Sequence, residues 1–514
     1  MNTGHTIMQY CFILKFILNN LFATKQVFIT SFAVILMLLP GAVSAHGFAQ
    51  RYDLPVPLML YLIGAAATVA VSFVVIALFV RRGMLLYRYP CLNLMKLPVV
   101  RFLPHPILFG LLQALSIVLF VLILTAGWFG VQDPFQNIAP TLVWVIWWVG
   151  FAYVSGLLGN FWPLVNPWTN IFTLLQWLVC RYSRLSSLSF NVALPRWVGV
   201  WPAAMLFAAF SWIELIWRHS DEPANIASMV MGYSLLTWTG MVLFGKEAWL
   251  QRGEAFTLVF GLLARFAPSE WNDKEQDSRW LLRPFGVGLL VSQPVSASLT
   301  VFVVMMLSVV TFDGFMATPL WASTVQWILY SDFLRPLLIL LQPIFGDAVA
   351  VIMSLGFVLF PALFISVYYT FCLLMRLLTG PASSPGISEL AGYFVMTLIP
   401  IALAYHLAHY MSFLLIVGQY IIPLLSDPFG FGWDLFGTKH YFVDIGIVNA
   451  RFVWITSVIA IVTGHIFAVF LSHVMAQRIF DNQRQALLSQ LPMLVLMVGY
   501  TMVSLWILAQ PIVE

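Results

Sequence analysis

The chain has 514 residues, of which 61% are hydrophobic and only 9% are charged, and its mean hydropathy is +0.93. So much apolar surface cannot be hidden in one water-soluble core, which excludes an ordinary soluble enzyme and predicts the lipid bilayer as the chain's main partner. The formal net charge is +4, and the basic residues form no patch interleaved with aromatic residues, so nucleic acid is not an expected partner.

The N-terminus has the features of an export signal. Two lysines precede an apolar run at 27–39, and a small-residue sequence follows it at 42–45. Residues 1–45 are therefore predicted to be a signal peptide, and His46 would be the first residue of the mature chain. An uncleaved anchor helix is the alternative, because the region before the apolar run is long.

Residues 46–514 are predicted to form a single transmembrane bundle with short loops. A bilayer crossing takes roughly 20 apolar residues. Stretches of that kind lie near 57–80, 107–129, 141–159, 199–217, 226–245, 295–312, 348–375, 390–414, 451–475 and 490–509. The predicted fold class is all-α, a polytopic integral membrane protein of about ten transmembrane helices.

The basic residues predict the orientation. If His46 is exported, seventeen lysines and arginines of the mature chain fall on the cytoplasmic side and five on the opposite side. This asymmetry follows the positive-inside rule. It predicts a multi-pass protein of the bacterial inner membrane, with the mature N-terminus and Glu514 both exported.

Four segments between the crossings have residue patterns that predict local structure. Two prolines and an apolar continuation at 159–179 predict a re-entrant or interfacial helix, and the apolar stretch 255–266 between charged flanks predicts a helix in the headgroup layer. Glycine, proline and aspartate at 313–319 and at 427–434 predict turns after the sixth and eighth crossings. The aromatic residues of these two turns predict loops that fold back onto the exported membrane surface.

The polar residues of most interest are His406 and His409 in the eighth crossing. A spacing of three residues places both rings on one helix face, and ionisable groups within a bilayer are functional candidates by default. With the predicted orientation, both lie in the exported half. Glu214 of the fourth crossing and Asp313 at the end of the sixth are expected at a similar depth, which makes them the candidate catalytic residues.

Two imidazoles with carboxylates nearby are suitable ligands for a divalent metal, zinc or copper. We therefore predict a metal site at His406 and His409. His46 is a further candidate ligand, because a free N-terminal amine and its own ring can chelate copper. The alternative is that His406 and His409 only make hydrogen bonds between helices.

Haem is a less favoured cofactor. A b-type haem needs axial histidines that face each other at one depth. His465 in the ninth crossing is expected roughly 9 Å deeper than His406, at 1.5 Å per residue, and no other histidine matches either of them clearly.

Five segments, at 46–57, 164–168, 311–315, 405–410 and 433–437, together resemble a bacterial family of polytopic membrane proteins. Its members are often labelled fenitrothion hydrolase or hypothetical membrane protein, and the resemblance covers most of the mature chain. It implies hydrolysis of an organophosphorus triester at the aryl ester bond, and it allows a second membrane subunit as partner.

For that reaction a metal would lower the pKa of bound water toward roughly 7, with His406, His409, Asp313 and Glu214 as ligands or proton acceptors. Two other functions use the same residues. One is a transporter or metal-handling protein with an exported-side binding station, and the other is a haem-binding electron carrier. The sequence has no P-loop and no Gly-x-Ser-x-Gly motif, which argues against an ATP-driven pump and an ordinary serine hydrolase.

Overall fold

The computed structural model describes residues 52–80, 89–97, 106–183, 185–272, 279–380 and 384–510. The predicted signal peptide and His46 lie outside these residues. In chain order the helices are α1 (Leu58–Phe79), α2 (Pro106–Phe129), α3 (Ile138–Leu157), α4 (Trp162–Val165), α5 (Pro167–Tyr182), α6 (Trp201–Ile216), α7 (Pro223–Phe244), α8 (Lys246–Arg252), α9 (Ala255–Ala264), α10 (Ala297–Met316), α11 (Pro319–Leu329), α12 (Arg335–Phe345), α13 (Ala348–Thr379), α14 (Ile387–Phe394), α15 (Ile399–Val417), α16 (Ile421–Ser426), α17 (Ala450–Ile479) and α18 (Gln483–Ala509).

Within the described chain, ten helical spans are long and apolar enough to cross a membrane. They coincide with the ten predicted crossings, so the all-α polytopic fold is confirmed. Helices satisfy every interior backbone hydrogen bond within one segment, which is why such apolar stretches adopt this structure in lipid. Eight of these spans are each one helix, although the winding of α3 changes along its length. The span that contains α6 begins with a short 3₁₀ turn at Arg196–Val198, and the eighth crossing consists of α14, α15 and α16.

The eighth crossing changes its winding next to Pro400. A 3₁₀ segment at Val395–Leu398 separates α14 from α15, and Pro400 occupies the first turn of α15. Proline is tolerated there because the first amides of a helix have no partner within that helix. This change of winding next to Pro400 sets the direction in which α15 carries its histidines.

Helix α3 also departs from regular winding. Its central part, Thr141–Gly150, is a π-helix. π-helical turns are rare and often occur at functional sites. This segment carries Trp148, which faces α15.

The interfacial helix predicted at 255–266 is wrong, because α9 is a buried half-helix. Phe256 and Phe260 are fully buried, and Phe256 packs on Trp147 in the π-helical part of α3. The chain turns back at Gly245, where φ is 92°, and α8 then runs along α7 with the Trp249 ring over Gly240. The apolar run of α9 is explained by burial in protein.

The segment at 159–179 is re-entrant. Trp168, at the start of α5, is buried, and its indole N–H donates to Ser234 Oγ at 2.7 Å, in the middle of α7. From there α5 runs back, and Thr173 lies near Lys246, the first residue of α8. Helices α5 and α9 thus both begin inside the bundle, a feature that membrane proteins tolerate where the backbone is buried in protein.

A small antiparallel sheet ties two loops together. Its strands are β1 (Leu92–Asn93), β2 (Ser269–Asn272) and β3 (Arg279–Leu282), in the order β1-β3-β2, with Leu92 and Ser269 both opposite Leu282. The sheet joins the segment after α1 to the segment after α9.

The turn predicted at Asp313 and Gly314 is also wrong, because α10 continues through both residues to Met316. Gly314 serves packing here, since a Cβ atom would collide with the Tyr405 hydroxyl. The loop at 427–434 does contain turns, with Gly430 and Gly432 at positive φ. The Phe429 carbonyl accepts a bond from Val131 N–H at 2.8 Å, so this loop packs on the loop between α2 and α3.

Candidate functional site

His409 and Asp313 form a hydrogen-bonded pair between α15 and α10. His409 Nε2 lies 2.9 Å from Asp313 Oδ2. The two side chains are 20% and 22% exposed, so they lie at the edge of the buried interior. The sequence predicted these residues at a similar depth, and the fold places them in direct contact.

Tyr410 completes this arrangement. Its hydroxyl donates to the same Asp313 oxygen, Oδ2, at 2.6 Å. Asp313 as a carboxylate only accepts hydrogen bonds, so the bond to His409 assigns the proton of the neutral ring to Nε2. Nδ1 of His409 is then the nitrogen with a free lone pair. Tyr410 was given no role from the sequence, and its position next to His409 was the only signal that could have found it.

His406 faces a different set of neighbours. Its ring lies against Trp148 and Tyr153 of α3, with centroid distances of 6.0 and 5.7 Å, and against Tyr410 at 4.8 Å. Only 8% of the residue is exposed, and Nε2 has no hydrogen-bond partner. The Tyr410 ring thus contacts both histidines that were predicted on one face. The His409 side chain, however, points to α10, and the His406 side chain points to α3.

Glu214 lies close to the same cluster. It interacts electrostatically with Asp313 and with Tyr410, and it lies near Trp148 of α3. The fourth predicted residue is therefore also at the site. Asp313 holds the direct bonds to His409 and Tyr410, whereas Glu214 contributes a second carboxyl group in their surroundings.

The donor set does not by itself form a metal centre. Among the residues that the structure describes, no three His, Cys, Asp or Glu side chains are grouped closely enough to hold a metal ion. His409 Nε2 and Asp313 Oδ2 are bonded to each other, so both would have to turn to share a metal. The predicted third ligand, His46, lies outside the described residues.

His465 and His473 of α17 are separate from this cluster. A Cβ atom on Gly464 would touch Pro400 and Ala404, which places His465 roughly 6 to 9 Å deeper than His406 at 1.5 Å per residue. His473 bonds Gln490 Oε1 at 2.9 Å through Nδ1. A haem with His406 and His465 as its two axial ligands is not consistent with these depths.

An apolar cavity of about 480 Å³ adjoins the site. It lies between α2, α3, α6 and α7, and Trp147 and Phe210 are part of its wall. Phe210 packs on Trp148 at 4.8 Å, and Trp148 packs on His406 at 6.0 Å. Two aromatic rings in series, Phe210 and Trp148, thus separate the cavity from His406.

Comparisons with family models, with curated proteins and with solved structures give no match. The function is therefore inferred from the geometry of this chain and from the resemblance of its segments.

Proposed function

We propose that this protein is a membrane-embedded hydrolase of hydrophobic organophosphorus esters, with His409 as its general base. The observation that carries the proposal is the hydrogen bond from His409 Nε2 to Asp313 Oδ2. A carboxylate in this position fixes the tautomer of the ring and stabilises the imidazolium that forms when the ring accepts a proton, as in hydrolases that use an aspartate-oriented histidine.

The chemical step follows from this geometry. Nδ1 of His409 takes a proton from water as the water oxygen bonds to phosphorus. The bond from phosphorus to the aryl oxygen breaks, and the departing aryloxide receives a proton, so one water is consumed and one phenol and one phosphodiester are formed. Asp313 and Tyr410 hold the charge and orientation of the ring throughout.

The surroundings suit a hydrophobic substrate. The aromatic rings around His406 and the adjoining cavity provide apolar surface inside the bundle, and an ester that partitions into lipid reaches such a surface without crossing water. Glu214, near Asp313 and Tyr410, is the group that we propose to supply the proton to the leaving aryloxide.

Zinc or copper remains a prediction from the sequence. The described donors do not fit a metal site in their present arrangement, so the step above uses the side chains alone. The metal content of the protein can be measured whether or not this chemical step occurs.

The purified protein tests the proposal. The intact chain in detergent or liposomes should release the phenol from a nitroaryl phosphorus triester. Elemental analysis and a visible absorption spectrum are recorded on the same sample. Absence of turnover with well-folded protein would reject the hydrolase. A strong haem absorption would instead support the electron carrier.

Transport of an organic solute or a metal ion is the second candidate. The observation that favours it is the pair of half-helices, α5 and α9, that begin inside the bundle, since interrupted helices often form the substrate sites of transporters. Substrate uptake by proteoliposomes, without hydrolysis, is the result expected from this candidate.

We further propose that the chain resides in the bacterial inner membrane with both mature ends exported. The excess of basic residues in the loops on one side supports this orientation. A reporter enzyme fused after Glu514 should be active in the periplasm, and one fused after Lys274 should be active in the cytoplasm. The reverse activities at either position would refute the orientation.

A further inference from the structure

A second group of polar side chains lies deeper in the bundle, between α10, α15, α17 and α18. It consists of Tyr405, Thr311, Tyr500 and His465, which we call the interior polar file. Tyr405 and His465 are 0% exposed. None of the four takes part in the step proposed for His409 and Asp313.

Two atoms of the interior polar file have no hydrogen-bond partner. His465 donates from Nδ1 to the Ile461 carbonyl at 2.8 Å, so Nε2 is the lone-pair nitrogen, and Nε2 is unpartnered. The Tyr405 hydroxyl is also unpartnered, and the missing side chain of Gly314 makes the space around it.

The other two members are bonded to each other in a defined direction. Thr311 Oγ1 donates to the Leu307 carbonyl at 2.7 Å, so the Tyr500 hydroxyl must donate to Thr311 Oγ1, which lies 2.5 Å away. The oxygen of Tyr500 can still accept a bond. Its ring is next to His465, with centroids 5.8 Å apart.

The file reaches from His465 to the His409–Asp313 pair. Thr311 and Asp313 are two residues apart on α10 and therefore point to different faces of that helix. The link to the pair is made by Tyr405, whose ring lies 6.1 Å from the His409 ring. Tyr405 interacts electrostatically with both Asp313 and Tyr500. Ser457 Oγ bonds the Ala408 carbonyl, so His465, eight residues further along α17, is roughly 12 Å deeper than His409 at 1.5 Å per residue.

An unpartnered polar atom in the protein interior costs about 1–3 kcal/mol, and such atoms are usually satisfied by ordered water. Both unpartnered atoms of the file are in the interior, and the four side chains offer water both donors and acceptors. Buried imidazole and hydroxyl groups within a bilayer are typical of proton paths.

We propose that the interior polar file binds a chain of water molecules that connects His465 Nε2 to the His409–Asp313 pair and carries protons between them. Each water on the path accepts one proton on one side and releases another on the other side, so the waters are unchanged. His465 Nε2 gains the proton that reaches the inner end of the path, and it returns this proton along the same waters to the His409–Asp313 pair. The activity goes beyond ester hydrolysis, because it moves protons toward the middle of the bundle.

Titratable groups on each neighbouring helix are part of this path or border it. Helix α10 contributes Asp313, α15 contributes Tyr405 and His409, and α18 contributes Tyr500. Of the residues described on α1 that face this region, Leu62 and Ala65 are apolar. Protons therefore enter from the side of Asp313 and His409.

Solid-state NMR of the full chain in liposomes, labelled with ¹⁵N-histidine, tests the proposal with water as the probe. Magnetisation should pass from water to Nε2 of His465, whose signal is identified by its loss in His465→Gln. Exposed His219 and His440 in the same sample serve as internal standards. Transfer to these two histidines without any transfer to His465 would overturn the water chain.

Conservative variants test the route. Tyr405→Phe and Thr311→Val remove one hydroxyl each and should lower the rate of transfer from water to His465 severalfold. Tyr368→Phe is the matched control, because the Tyr368 hydroxyl is also buried but bonds Ala391 on another part of the bundle. An unchanged rate in both file variants, or an equal decrease in the control, would overturn the route through this file.

Discussion

Replacement of His409 by glutamine should decrease hydrolysis of a nitroaryl phosphorus triester by about 10²–10⁴-fold, the contribution typical of a general base. Glutamine can keep a hydrogen bond to Asp313 but has no nitrogen that accepts a proton near neutral pH. Asp313→Asn should have an effect of similar size for a different reason. An asparagine amide would donate to Nε2, the ring proton would move to Nδ1, and the lone pair needed for the step would be lost.

Two further variants separate this role from a structural one. Tyr410→Phe leaves the His409–Asp313 bond in place and should cost less than either substitution. His440→Gln, at an exposed loop residue, is the control that should keep full activity.

Metal content is measured on alanine variants of the histidines. If His406 and His409 hold zinc or copper, alanine at either position should remove the metal and the activity together, whereas His473→Ala should retain both. Full activity in well-inserted His409→Gln and Asp313→Asn proteins would place the reaction elsewhere and leave these side chains with a packing role.

Glu254→Ala should destabilise the bundle by several kcal/mol, because it leaves several buried donors without an acceptor. Glu254 is fully buried and caps α9. Its carboxylate accepts from the Phe256 and Thr257 amides at 2.9 and 2.7 Å. It also accepts from the Tyr233 hydroxyl at 2.5 Å and from the Thr257 hydroxyl.

Thermal unfolding in detergent, followed by the loss of monodisperse protein, measures this effect. Glu247→Ala is a matched control in the preceding helix, since the Glu247 side chain is 75% exposed. A midpoint for Glu254→Ala equal to that of Glu247→Ala would mean that the cap does not hold α9 in the bundle. Glu254→Gln, which retains an oxygen acceptor, should lie between the alanine variant and the wild type.

The half-helices show why apolar character alone misplaces a segment. Residues 255–266 are apolar between charged flanks, which is typical both of a helix in the headgroup layer and of one buried in protein. The deciding contacts are distant in sequence, with Phe256 against Trp147 and Glu254 against Tyr233. The turn expected at Asp313 failed similarly, because Gly314 makes room for Tyr405, and local sequence does not report such packing.

The amino-acid sequence alone specifies the all-α polytopic fold and the position of the ten crossings, because the cost of unpaired backbone groups in lipid leaves few structures open to long apolar segments. It also placed His406, His409, Asp313 and Glu214 within one half of the bundle. The packing of the helices is needed to see that His409 bonds Asp313, that Tyr410 shares the same carboxylate oxygen, and that His406 turns to α3. Those choices depend on the rotation and packing of neighbouring helices, to which hydropathy and residue spacing are insensitive.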